Sequence, residues 1–346
     1  MKKQIEINAI ILKEPSHLEK IRTTLVTELK PDEVLLKVHR IGICGTDLHA
    51  FRGRQPFFTY PRILGHELGV EVLEIGSGVT DLKIGDRCAV EPYFNANPDQ
   101  AVRAGKTNCG ENLSVFGVHE DGGMREFIVL PARYLHPSDK LSYEQLALIE
   151  TLSIGFHAIK RADVREDDKV LVIGAGPIGL ATIQFAKIKK AKIAAMDLNQ
   201  ERLDFSKNHL NVEGLINAKS EQVLADIRKI FDGDLPTVVL DATGHSQSMK
   251  NTFDYVAFGG KIVFIGLYQG DFTFFDPLFH KKEITLMASR NSLGKDFDEI
   301  ISLVEKGILD TGPWVSHRVF FQDLPKKFES FLDPKNGVIK AMVELK

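Results

Sequence analysis

At 346 residues the chain is long for one domain and comfortable for two. A composition of 43% hydrophobic and 26% charged residues excludes disorder and fibrous folds, and a net charge of −3 lacks the basic excess that a nucleic-acid partner demands. Polar residues interrupt the N-terminal stretch up to Pro15, no run of about 18 apolar residues occurs, and the three scattered cysteines (Cys44, Cys88, Cys109) are too few for a disulfide framework, so a reduced, cytoplasmic protein without a membrane span is expected.

The first half reads as short strands separated by turns. Strand-like runs cover 34–38, 70–75, 87–90 and 125–130, punctuated by Gly76-Ser77-Gly78 and Gly85-Asp86. Such density suggests a compact β-barrel-like unit. Near residue 153 the pattern changes. Apolar runs at 170–173, 192–196, 237–240 and 261–265 alternate with helical patterns at 178–189, 200–209 and 247–255. Short β-branched runs between helices are what a parallel sheet covered on both faces requires, hence a doubly wound α/β domain. The tail adds a helix at 297–306, a turn at Gly312-Pro313 and a last strand at 338–343, a segment able to return to the first domain.

Gly174-Ala175-Gly176-Pro177-Ile178-Gly179 directly follows the run 170–173 and opens a helix. In that context the pattern is a dinucleotide fingerprint. Gly174 permits the tight turn, Gly176 lets backbone approach a pyrophosphate, and Gly179 permits close helix–strand packing. The helix N-terminus, with Pro177 and Ile178 in its first turn, offers unpaired N–H groups to phosphate. Asp197 ends the next strand; a carboxylate there accepts from both ribose hydroxyls and repels a 2′-phosphate, which favours NAD over NADP. Arg202, five residues on, could stack on adenine, and Thr243 follows the run 237–240 on the same side of the sheet.

Cys44, Thr46, Asp47 and His49 lie within Gly42–Ala50, and His66-Glu67 follows after a gap. Cysteine, histidine and carboxylate are zinc's favoured ligands, with three protein ligands and an exchangeable water in catalytic sites. Each feature alone is ordinary, and the spacing leaves a metal site and a merely structural role both open.

These segments carry a resemblance. GICGTDLHA (42–50), GHE (65–67), GDRC (85–88), ALIETLSIGFHA (147–158), VLVIGAGPIG (170–179) and FHKKEITLMASRN (279–291) resemble a zinc-dependent medium-chain dehydrogenase/reductase over nearly the whole length. The chain is similar to the sorbitol and threonine dehydrogenase branch, and most of all to sugar-acid enzymes of the L-galactonate and L-gulonate 5-dehydrogenase type. The resemblance implies a GroES-like β-barrel catalytic domain over 1–153, completed by 291–346, and a Rossmann NAD-binding domain over 154–290. It implies Cys44, His66 and Glu67 as catalytic zinc ligands. Glu150 is the branch's further carboxylate, touching zinc directly or through water. Thr46 and His49 are implied as a relay that carries the alcohol proton towards solvent, a task suited to a hydroxyl and an imidazole.

The pattern breaks in one place. Most zinc members hold a structural zinc with four cysteines, and those positions here fall on Ala96, Asp99, Val102 and Gly110, with Cys109 one residue out of register. One zinc per subunit is therefore expected. A sugar-acid substrate needs a cation, and Arg290, with Asn291, is the first candidate by position; Arg52 and Arg54 follow. A homodimer or homotetramer is implied, with 272–275 as a candidate edge strand. Two other classes compete, a zinc-free reductase on the same fold and a non-catalytic nucleotide-binding protein. The joint presence of Cys44, His66, Glu67, Thr46, His49 and Glu150 speaks against both.

Overall fold

The computed structural model describes residues 3–56 and 58–345. The chain divides into two compact units, Met1–Thr151 with Leu293–Lys346, and Leu152–Ser292. The boundaries fall two residues before and two after those read from sequence. The first boundary lies inside the helix Tyr143–Ala162, which the sequence reading did not identify.

The first unit is built on antiparallel strands. Gln4–Glu14 and His17–Val26 form a hairpin. A larger sheet runs in the order Leu135–Pro137, Arg87–Val90, Glu67–Ile75, Glu33–Ile43, Lys340–Glu344, Val315–Phe320, with Phe127–Pro131 also paired to Glu33–Ile43. Its inward residues, among them Leu36, Val38, Ile41, Val70, Val72, Ile128 and Val343, form one buried core. Removing such apolar surface from water at about 25 cal/mol per Å2 is the main force holding the layers. The returning tail supplies the strand Lys340–Glu344, whose Met342 and Ala341 pair with Gly42 and Ile43.

The second unit holds six parallel strands in the order Gly214–Asn217, Lys192–Asp197, Lys169–Ile173, Val238–Asp241, Lys261–Phe264, Thr285–Ala288. Numbered along the chain, that order is 3-2-1-4-5-6, the dinucleotide-binding arrangement. Residues 272–275, expected as an edge strand, form none. The Phe274 ring instead stacks on Phe253 at 4.8 Å, and Phe272 packs edge-on against Phe264 at 5.3 Å. The open edges of the sheet are Thr285–Ala288 and Gly214–Asn217. Among the described residues no helix is long and apolar enough to cross a membrane.

Candidate active site

Strand register assembles the first cluster. Gly42 pairs with Glu67 across two adjacent strands, Cys44 follows the end of Glu33–Ile43, and His66 precedes Glu67. The ligand atoms of Cys44, His66 and Glu67 lie within 4.8 Å of one another. Gly42 makes the approach possible, since a Cβ there would stand 1.9 Å from a Glu67 carboxylate oxygen. Cys44 caps the short helix Gly45–Phe51, and the Asp47 carboxylate accepts from the Cys44 backbone N–H at 2.9 Å.

Electrostatics around the cluster favour a cation. Burial opposes a charged His66, yet the Cys44 sulfur, Asp47 and Glu150 outweigh it and raise His66 well above the ordinary imidazole range. His66 Nδ1 and Asp47 Oδ1 are both buried without a hydrogen-bond partner, 3.8 Å apart. A thiol, an imidazole and a carboxylate converging in such a pocket fit a divalent ion of zinc's borderline softness. Cys88 is different in kind: burial pushes its thiol up to about 12, which leaves it inert.

Two partners of the cluster escaped the sequence reading. Lys340, 2% exposed, donates from Nζ to both Glu67 oxygens at 2.7 and 2.8 Å. Burial raises the cost of the Glu67 charge, but Lys340 and then His66 more than offset it, and its carboxyl is held below the usual range. A cation on Cys44 and His66 would meet Glu67 only by sharing its carboxylate with this ammonium. Glu150 lies outside the converging set and is buried; Tyr93 donates its phenolic hydrogen to Glu150 Oε1 at 2.5 Å. Burial first, and Glu67 as a like charge, push the Glu150 carboxyl up.

Thr46 and His49 stand on the helix Gly45–Phe51, Thr46 half-buried and His49 exposed at its last turn. Burial of part of the ring, then the charges of Arg52 and Arg54, lowers the His49 pKa.

In the second unit the glycine turn is tightly fitted. Gly174 adopts φ of +91°, and a Cβ on Gly179 would fall 1.6 Å from the Gly174 carbonyl oxygen. Pro177 and Ile178 begin the helix Pro177–Ile188, whose N-cap is Gly176. Asp197 accepts from Ala175 N at 2.6 Å and Asn199 N at 2.8 Å, so its carboxylate is fixed beside the turn. The Arg202 guanidinium comes 3.6 Å from where a Gly176 Cβ would point. Thr243 bonds to the buried Asp241 through both its N–H, at 2.8 Å, and its hydroxyl, at 2.7 Å, and its methyl packs on Gly174. Arg290 is exposed and Asn291 has φ of +51°; both follow the edge strand Thr285–Ala288.

Hydrogen bonds hold the lobe that carries Cys109. Asp99 caps the helix Gln100–Arg103, accepting from Val102 N at 2.9 Å, and also accepts from the Glu111 N–H. Asn95 donates to the Thr107 carbonyl at 2.9 Å, and Cys109 faces solvent. One carboxylate thus ties together the segments at 102 and 111.

Comparison with known proteins agrees with this architecture. Residues 30–140 match the family model of the alcohol dehydrogenase GroES-like domain, and 177–306 that of the zinc-binding dehydrogenase. The chain is 39% identical to L-galactonate-5-dehydrogenase of Escherichia coli K12, covering 90% of this chain and 92% of that protein. It is 34% identical to L-arabinitol 4-dehydrogenase of Aspergillus oryzae, over 91% and 87% of the two chains. The crystal structure of an alcohol dehydrogenase from Escherichia coli CFT073, complexed with NADH, superposes with a TM-score of 0.91 at 28% identity, over 98% and 99% of the chains. With a GroES-like domain, a dinucleotide-binding parallel sheet and relatives named as dehydrogenases, the chain belongs to the zinc-type medium-chain alcohol dehydrogenase family and is an oxidoreductase.

Proposed function

We propose that this enzyme oxidises a secondary alcohol of a sugar acid or polyol, a hexonate of the L-galactonate kind first, and passes the hydride to NAD. The observation that carries this reading is the convergence of the Cys44, His66 and Glu67 ligand atoms within 4.8 Å. These three would hold one zinc ion, with Glu150 beside them. When bound, such an ion supplies Lewis acidity, which lowers the pKa of a hydroxyl it touches by many units.

The chain's own residues do the rest. Thr46 hands the substrate's proton on, and His49, kept neutral near pH 7 by its lowered pKa, takes it towards solvent. Phosphates rest on the N–H groups that open the helix Pro177–Ile188, with Gly174, Gly176 and Gly179 clearing space. Asp197 at the end of its strand receives the adenosine ribose and disfavours a 2′-phosphate, while Arg202 and Thr243 flank the dinucleotide. Arg290 and Asn291 meet the polar end of the substrate, the guanidinium pairing with a carboxylate. The substrate class draws support from the relatives named for L-galactonate and L-arabinitol; a sorbitol-type substrate draws on a 30% identical sorbitol dehydrogenase of Bacillus subtilis. A cytoplasmic homo-oligomer joined through an open sheet edge completes the proposal.

Reduced-cofactor formation across hexonates, pentitols, hexitols and threonine, with NAD and NADP in parallel, tests it. A hexonate or polyol is expected to turn over, with NAD at least about tenfold better than NADP, roughly 1.4 kcal/mol of discrimination. Equal use of both cofactors would remove the role of Asp197. No turnover of any sugar acid or polyol would remove the substrate class.

A further inference from the structure

Tyr93 has no part in the reading above, yet its hydroxyl points at the centre. Tyr93 is 2% exposed, and Glu150, which it meets, is 5% exposed. The Tyr93 hydroxyl donates to Glu150 Oε1 at 2.5 Å, which ties the two side chains directly. The phenol is not free to wander. Tyr93 lies on the short strand Tyr93–Phe94, paired with Ser114–Val115. The Phe116 N–H donates to the Pro92 carbonyl at 3.0 Å, and the Phe297 ring meets the Tyr93 ring edge-on at 6.5 Å. Glu150, for its part, shares the pocket of His66 and Glu67 and interacts with both charges.

We infer that Tyr93 is a positioning residue of the metal centre: its phenol holds Glu150 Oε1, so that Glu150 presents at most its other oxygen to the ion or to the ion's water. A carboxylate beside Glu67 is repelled by it and tends to turn away. Tyr93 removes that freedom and fixes the number of oxygens that the centre receives from Glu150. Groups that orient ligands in this way tune metal affinity by about 10–100-fold. The inference rests on the metal reading proposed above.

The test uses the full-length protein with cobalt(II) in place of zinc, read by its visible d–d spectrum and by chelator competition. Tyr93→Phe keeps the ring and removes one hydroxyl. It is expected to shift the d–d bands and to weaken cobalt binding by about 10–100-fold. In a Glu150→Gln background the same change should do nothing further, because the group it acts through is gone. A Tyr93→Phe spectrum and affinity superimposable on the parent overturn the inference, as does a full effect of Tyr93→Phe in the Glu150→Gln background. If Tyr93→Phe does not unfold as one cooperative transition, 3-fluorotyrosine placed at position 93 gives the answer. It keeps the hydroxyl but makes it more acidic, and unmoved cobalt bands then overturn the role. A parent protein that binds cobalt no better than Cys44→Ser overturns the metal reading, and this inference with it; normal binding with no Tyr93 effect overturns this inference alone.

Discussion

His49 illustrates how much a site depends on single charges. Burial and the neighbouring Arg52 and Arg54 hold its imidazole below the ordinary value of 6.5. A lowered pKa means that the neutral, proton-accepting form survives to lower pH. Alcohol oxidation should therefore lose its acid limb only below about 6.5. Replacing His49 by Gln should remove that limb and cost about 10²-fold in kcat/KM, the lower end for a positioned proton carrier. A limb unchanged in position in the variant would take the relay away from His49. Lys340 is a different case. It stands 273 residues from Glu67, so no local spacing could have linked them. Its only trace in the sequence is a lone charge leading into the apolar run Ala341-Met342-Val343. Breaking such a buried pair typically costs about 3–5 kcal/mol, because the orphaned charge has no water to turn to. Tyr93 was hidden for the same reason: its partner lies 57 residues away. Cys44, His66 and Glu67, by contrast, were singled out by the resemblance of the segments around them, since spacing alone left a metal site and a structural role both open; the structure brings their ligand atoms within 4.8 Å of one another.

At the scale of elements, the glycine turn shows why residue type is dictated by fit. With Gly174's carbonyl oxygen 1.6 Å from any Cβ at position 179, alanine there must push the helix Pro177–Ile188 off the strand Lys169–Ile173. Gly179→Ala should cost about 1–3 kcal/mol as an overpacked core contact and lower NAD affinity in calorimetry. It should leave the metal content of the other unit unchanged. Unaltered NAD affinity and Tm would mean that the turn tolerates what its geometry forbids. The parallel strands could be read from sequence because burial on both faces leaves continuous apolar runs. Gly214–Asn217 could not, being four residues with a glycine. The helix Gly45–Phe51 was also missed, since its seven residues mix polar and apolar types without a clear stripe. Residues 272–275 misled in the opposite way. Three phenylalanines with a threonine look like a strand, but the Phe274 ring instead stacks on Phe253 and packs at a tilt against Phe279.

At the scale of the molecule, the first unit is discontinuous. Its sheet is completed by Lys340–Glu344, after the chain has passed through the whole second unit. That return delivers Lys340 to Glu67, so the ligand cluster depends on the last strand as much as on the first. Sequence reading allowed such a return without being able to require it, because strand partners distant along the chain leave no periodic mark. The lobe from Tyr93 to Val115 makes a related point: Asp99 accepts from the backbone N–H groups of both Val102 and Glu111, so one side chain joins segments nine residues apart.

Metal content of the purified protein, measured together with NAD-linked activity, tests the central claim most directly. The account predicts about one zinc per chain, with both metal and activity lost in Cys44→Ser while the protein stays folded. Two zincs per chain, or full activity in a protein stripped of metal, would contradict it.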